Sequence, residues 1–561
     1  MRPLRGAPLL TLLVLLGPVA AGLVGTLAPA LGLFPALGGR ALSLAPMAAL
    51  AAWPGLPGAV MLSVGVGLAA TVASLAIVVL FVAGWQGTRA MAGLERALAP
   101  LLSVPHAAAA FGLAFLIAPS GWIARALSPW ATGWERPPDL LIVQDPLGLA
   151  MVAGLVVKEV PFLLLMTLAA LPQVRPAQRM GVARALGYGR VTGWLKAVFP
   201  AVYAQIRLLV YAVLAYSMSV VDVAIILGPG TPPPLSVQVV RWMADPDLTL
   251  RFQAAAGAVL QLALVIGVLA LWRLGEAVLG GLGRIWAEGG ARRHGDGVLR
   301  AAGLGLAVLA AGAVIAGLAG LGLWSMAGLW PFPEAWPEAL STRSWLRHGP
   351  GLLAPGLETL WIAGAATVLA LALVLACLEA EHRFGLVPGA RSLWLLYLPL
   401  LVPQVAFLPG LQGFALMLGV DMGRGAVILG HLVFVLPYVF LSLAAPWRAW
   451  DMRYASVAAA LGAGRGRVFR QVRLPMLLAP VLTAAAVGFA VSVGQYLPTL
   501  LIGGGRVQTL TTEAVALAAG GDRRAIAVTA LAQTLVGMAG FALALAIPRI
   551  LWANRRGLRA G

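Results

Sequence analysis

Apolar residues fall in twelve runs, each near the ~20 residues that cross a bilayer as a helix. In the first half the runs lie near 9–31, 58–84, 97–118, 146–171, 201–228 and 252–282. In the second they lie near 298–324, 354–377, 392–419, 424–446, 476–502 and 524–551. Backbone groups in lipid must satisfy one another within a segment, so the runs predict helices. The expected fold class is an all-α integral membrane protein of about twelve transmembrane helices. Six per half is even, so both halves enter the membrane in one direction, as two parallel six-helix repeats. Between them, Glu288-Gly-Gly-Ala-Arg-Arg-His-Gly-Asp296 reads as a short polar linker. The expected division is a first half at 1–285, a linker at 286–297 and a second half at 298–561.

Composition sharpens this picture. With 61% hydrophobic and 11% charged residues, no soluble core could hide the apolar surface. The net charge of +19, a nucleic-acid signal in a soluble protein, here reads as the basic bias of loops beside membrane helices. With the N-terminus inside, 27 of the 39 Lys and Arg lie on the cytoplasmic side and 11 outside, with Lys158 left within a helix. Both termini are therefore expected in the cytoplasm, with 119–145, 229–250, 325–353 and 503–523 outside. The opening Met1-Arg-Pro-Leu-Arg5 looks like the start of a signal peptide. The apolar run continues past Pro18 to about Leu31, and the repeat needs it as a retained first helix.

Two cytoplasmic loops repeat. Val182-Ala-Arg-Ala-Leu-Gly187-Tyr-Gly-Arg190 runs on to Phe199-Pro200, and Val457-Ala-Ala-Ala-Leu-Gly462-Ala-Gly-Arg465 runs on to Leu474-Pro475. The offset is 275 residues, and eight of the 19 aligned positions are identical. In each loop, 172–200 and 447–475, two short helices are expected to meet at the Gly, which tolerates a positive φ. The Pro then opens the next spanning helix. A small apolar face (Ala183, Ala185, Leu186) is expected to seat in a partner, with arginines around it.

The repeated loop resembles the cytoplasmic signature of permease subunits of binding-protein-dependent ABC importers, Glu-Ala-Ala, three residues, Gly, nine residues, Ile-x-Leu-Pro. Gly187 and Pro200 match, as do Gly462 and Pro475, and Val472, Leu474 and Pro475 supply the second copy's end. The signature's glutamate is Gly181 in one copy and Ser456 in the other, so its ATPase contact does not carry over. A second matched pair, Ser217–Gly230 against Ser492–Gly505, looks like the fifth-helix region of the ferric-iron, thiamine and sulfate branch. By layout the chain most resembles fused thiamine-type permeases. The resemblance implies a type I importer permease in a bacterial inner membrane. Its implied partners are two copies of an ABC ATPase on the cytoplasmic side and an extracytoplasmic solute-binding protein, in lipid and without nucleic acid. Implied coupling residues are Ala183, Arg184, Leu186, Gly187 and Pro200, and Ala458, Leu461, Gly462, Leu474 and Pro475.

Ionisable and polar residues inside helices are costly and so are candidates for a substrate path. They are His106, Ser217, Asp222, Gln404, Ser492, Gln495 and Tyr496. For His106 and Asp222, packing or a helix partner is the competing reading. Lys158 and Glu159 read as a structural pair, or as bonding kinked backbone before Pro161. His106, His294, His348, His382 and His431 are scattered without ligand spacing, and Cys377 is the only cysteine, so neither metal nor disulfide is expected. Neither lysine follows a Gly in a P-loop arrangement. No cofactor and no catalytic group are expected in this chain. Two other classes compete: an ion-coupled twelve-helix secondary transporter, which predicts several buried carboxylates, and a membrane-embedded enzyme, which predicts a polar catalytic cluster.

Overall fold

The computed structural model describes residues 2–290, 292, 295–386 and 389–552. Ala291, Arg293 and His294 of the linker lie outside the described residues. Among the described residues every regular element is a helix. Ten helices are long and apolar enough to cross a membrane, and two bent pairs bring the number to twelve.

The first half comprises α1 (Ala7–Ala30), α2 (Leu56–Trp85), α3 (Arg89–Ser103), α4 (His106–Ile117) and α5 (Leu149–Val174). It continues with α6 (Pro176–Ala185), α7 (Arg190–Ala197), α8 (Phe199–Ser219), α9 (Asp222–Leu227) and α10 (Leu250–Glu288). The second half repeats the order as α11 (Asp296–Met326), α12 (Leu353–Phe384), α13 (Ala390–Leu401), α14 (Gln404–Met417) and α15 (Arg424–Arg448). After them come α16 (Arg453–Ala460), α17 (Arg465–Val468), α18 (Leu478–Val493), α19 (Leu497–Gly503) and α20 (Arg523–Leu551).

The third and fifth runs of each half are not continuous spans. Pro105 and Pro403 exclude the preceding residue from the helical region, and Val104 and Val402 are extended. Helices 394–401 and 404–417 consequently bend by 88°. The fifth runs break at Val220–Val221 and at Gly494–Tyr496. The segments expected as outer loops also differ from expectation, because short apolar helices, Leu235–Ala244 and Leu510–Ala516, fold back into the core. Equivalent bonds hold them: Leu235 N donates to Ser63 Oγ (3.0 Å) and Leu510 N to Thr359 Oγ1 (2.9 Å).

The two halves interlock. Helix α1 packs on α14 of the other half, at a crossing where a Cβ on Gly22 or Gly25 would overlap the Phe407 or Gly410 backbone. Helix α11 packs on α2 and α4, and a Cβ on Gly317 would lie 2.9 Å from the Gly112 carbonyl carbon. Small residues thus let backbones meet at both exchanged helices.

Helix pairing places both repeated loops on one face. Helices α2 and α12 end beside them, where Arg190 bonds the Gln86 carbonyl and Arg473 bonds Glu379 (3.3 Å). On the far face arginines join the halves. Arg125 donates to the carbonyls of Pro331 (2.8 Å) and Glu334 (3.2 Å), and Arg523 bonds Ser120. The far-face part of the interior is one apolar core built from both halves. Smaller cores adjoin it, one around Phe81, Leu163 and Trp194 that takes in Ala307, Ala310 and Tyr397, one around Val374, Leu436 and Trp447 that takes in Leu15, and one around Leu214, Met218 and Val265.

Candidate functional site

The loops are built alike. Gly187 and Gly462 have φ of +83° and +81°, the left-handed conformation expected at each turn. In the first, Gly187 N donates to Arg184 O (2.9 Å) and Tyr188 N to Ala183 O (3.0 Å). In the second, Gly462 N donates to Ala459 O and Ala463 N to Ala458 O, both 2.9 Å. This is one helix-ending motif made twice. Leu186 and Leu461 stand 56% and 83% exposed, open to a partner. Arg184 is exposed beside Leu186. Ala183 corrects the expected apolar face: it is buried, with its methyl 3.3 Å from where a Gly193 Cβ would lie, so it seats α6 on α7. Ala458 is half-buried. Pro200 sits in the first turn of α8 as expected, but Leu474 and Pro475 belong to a short helical turn, 474–476, before α18 starts at Leu478.

The second short helices differ. Helix α7 is regular, and Trp194 is buried with its indole N–H on Gln86 Oε1 (3.0 Å). The Asp296 carboxylate receives Val191 N (3.0 Å), Thr192 N (3.3 Å) and Thr192 Oγ1 (2.7 Å). The linker also accepts Gly189 N at Arg292 O (2.8 Å). The second loop has no side-chain cap at α17, which passes into a π turn, Phe469–Arg473. The sequence reading treated Asp296 as mere linker; an acid opening an apolar helix was the signal.

A second polar group gathers at the breaks in the third and fifth runs. The four breaks put His106 and Gln404 first in α4 and α14, Asp222 first in α9, and Tyr496 just before α19. His106 Nε2 lies 3.6 Å from Glu159 Oε1, and its ring centroid 5.1 Å from that of Tyr216. Asp222 is buried at the start of α9. Gln404 Nε2 approaches Gln495 Oε1 at 3.5 Å. Phe162 and Tyr438, each following a repeated proline, meet across the halves with centroids 6.3 Å apart. His106, Tyr216, Gln404, Tyr438, Gln495 and Tyr496 keep partial exposure inside the molecule's apolar frame.

Several expected residues behave otherwise. Lys158 does not pair with Glu159 by hydrogen bond; its ammonium donates to Leu101 O (3.0 Å) and Val104 O (2.6 Å), carbonyls freed by the break before Pro105. Ser217 and Ser492 are buried in helix packing, and Ser492 Oγ bonds His431 Nδ1 (2.7 Å). Tyr216 and Tyr438 were missed by sequence reading. An aromatic after a proline within an apolar run was the available sign for Tyr438.

Comparison with known proteins adds to this geometry. The family model described as "Binding-protein-dependent transport system inner membrane component" matches residues 369–553. The chain is 34% identical over 527 residues to the "Inner membrane ABC transporter permease protein YnjC" of Escherichia coli strain K12, covering 92% of this chain and 93% of that protein. It is 34% identical over 156 residues to the "Molybdenum transport system permease protein ModB" of Mycobacterium tuberculosis, covering 26% of this chain and 59% of that protein. It is 24% identical over 110 residues to the "Spermidine/putrescine transport system permease protein PotC" of Haemophilus influenzae, covering 20% and 43%.

Proposed function

The chain belongs to the ABC transporter permease family, the inner membrane components of binding-protein-dependent transport systems, and on that premise we propose that it is a fused two-half importer permease. It carries a small solute inward by alternating access, driven by a separate ATPase. Two ATPase copies dock on the loops 172–200 and 447–475, which face the cytoplasm together with both termini. An extracytoplasmic solute-binding protein docks on the far face. The observation that carries this reading is the same Gly-turn loop made twice on one face.

The path runs through the polar group between the halves, past His106, Glu159, Tyr216 and Asp222 on one side and Gln404, Tyr438, Gln495 and Tyr496 on the other. Relatives named for molybdenum and for spermidine/putrescine leave the substrate to be chosen by this lining. Two carboxylates, with the one nearby lysine already bonded to carbonyls, favour a cation, and the phenol rings favour one with a flat or delocalised charge. Thiamine fits both demands and is the substrate proposed.

Purified chain alone should hydrolyse no ATP, and co-expression with its partner ATPase should give hydrolysis stimulated by loaded binding protein. Robust hydrolysis by the chain alone would sink the reading. Stimulation without response to thiamine would remove the substrate and leave the permease.

A further inference from the structure

The second loop holds a cavity. About 310 Å³ in volume, it lies between the loop-face end of α12 and the α16–α17 turn. Arg383, Arg465, Arg473 and His382 line it against a single carboxylate, Glu379. Glu379 is already taken, by Arg383 at 2.6 Å and by Arg473 at 3.3 Å. Arg465 makes no ion pair among the described residues, and the buried Nε of Arg473 has no acceptor. Ser456, the position of the signature glutamate, is part of the same lining.

The first loop differs in how its second short helix begins. There the linker's own Asp296 closes the loop, accepting from Val191 and Thr192. By the 275-residue offset those residues become Gly466 and Arg467, and no described carboxylate reaches them. The linker's acid thus caps the second short helix of the first loop, and the second loop keeps a cavity lined by arginines. At the rim Ser456 stands where the resembled signature has an acid, so the arginines there meet no carboxylate at that position.

We propose that the cavity of the second loop receives an acidic side chain of the ATPase, held by Arg465 and Arg473, so that the two loops engage their ATPase copies by different contacts. This rests on the reading of the chain as an ATPase-driven permease. Burying the incoming carboxylate between arginines makes a charge-assisted, two-pronged contact available, which arginine forms better than lysine. In the first loop the linker's Asp296 instead bonds the backbone of Val191 and Thr192, and Leu186 stands exposed for the ATPase.

The test is capture of the co-expressed ATPase by the full-length chain in detergent. Arg465→Glu should reduce captured ATPase by roughly tenfold at the second loop's share, the scale of losing a buried interfacial charge pair. Arg465→Gln should fall between it and wild type. Arg467→Glu, equally basic in sequence but outside the cavity, should change capture less than about twofold. Selection for Asp or Glu to Arg changes in the ATPase should restore capture by Arg465→Glu. Membrane abundance equal to wild type separates lost contact from lost folding, since Arg465 is exposed. Wild-type capture by Arg465→Glu would overturn the proposal alone. Loss of a co-purifying acidic phospholipid from Arg465→Glu, with ATPase retained, would also overturn it, assigning the cavity to a headgroup. A wild-type chain that captures no ATPase would overturn the permease reading beneath it.

Discussion

The two repeated loops share one turn and differ in what closes it. At 182–190 the turn is backed by buried Trp194 and pinned by Asp296 from the linker. At 457–465 the same turn stands over an open cavity, followed by a π turn. A duplicated motif therefore does not imply two equivalent surfaces. The linker exists once, so only one loop can borrow its carboxylate. The same asymmetry recurs at mid-depth, where the first half supplies His106, Glu159 and Asp222 and the second supplies amides and phenols. A chain that carries both repeats lets each half specialise.

The largest effect should come from the turns. Gly462→Asp should abolish uptake and cost the complex the ATPase copy at the second loop, while leaving membrane abundance near normal. Left-handed backbone costs a side chain about 1–2 kcal/mol. An added Cβ at Gly462 meets nothing within 4 Å, so the carboxylate would project into the space where the proposal seats the ATPase. Gly187→Asp should be milder, because its side chain meets Arg292, whose Cδ lies 3.5 Å from the Cβ position. Equal loss in both, or the reverse order, would break the contrast between loops. Normal uptake in both would show that the loops do not couple.

Next come the two sides of the path. Glu159→Gln or Asp222→Asn should lower uptake by roughly tenfold or more, the scale of losing a buried charge contact. Gln404→Leu or Gln495→Leu should cost only a few-fold. Uptake assays at matched expression check this, and equal losses on both sides would deny the first half its special role.

A smaller and local effect is expected at the linker. Asp296→Ala removes three acceptor contacts and should cost the first loop about 2 kcal/mol. Hydrogen exchange should speed up at 188–194 and stay unchanged at 463–469. Faster exchange in both would mean that the loops are mechanically linked rather than separately closed.

The smallest difference is in accessibility. In a Cys377→Ala background, Leu186→Cys and Leu461→Cys should label from the cytoplasmic side at rates within about threefold, both being exposed surface positions. Ser341→Cys should label only from outside. Labelling of the two loops from opposite sides would refute the parallel arrangement.

Much of this was legible in the sequence, for reasons that also mark where legibility stops. Hydropathy located every spanning segment, because lipid imposes length and polarity directly on the chain. The Gly187 and Gly462 turns were legible because positive φ selects glycine. Apolar content carries no direction, so the bends at Val104-Pro105 and Val402-Pro403 read as continuous spans although the prolines were visible. The exchange of α1 and α11 between halves depends on contacts hundreds of residues apart, such as Gly410 N on Thr26 Oγ1 (3.1 Å). No local pattern encodes those. Ala183 was misread for a similar reason: a small apolar residue on a short helix suits either face, and only packing against Gly193 decides.

The central claim is that one chain carries two ATPase docking loops on one face. Native mass spectrometry of the complex purified through the permease chain tests it most directly. The account predicts two ATPase copies per chain in wild type and one when Gly462→Asp removes the second loop. A single ATPase in wild type, or two retained in Gly462→Asp, would contradict it.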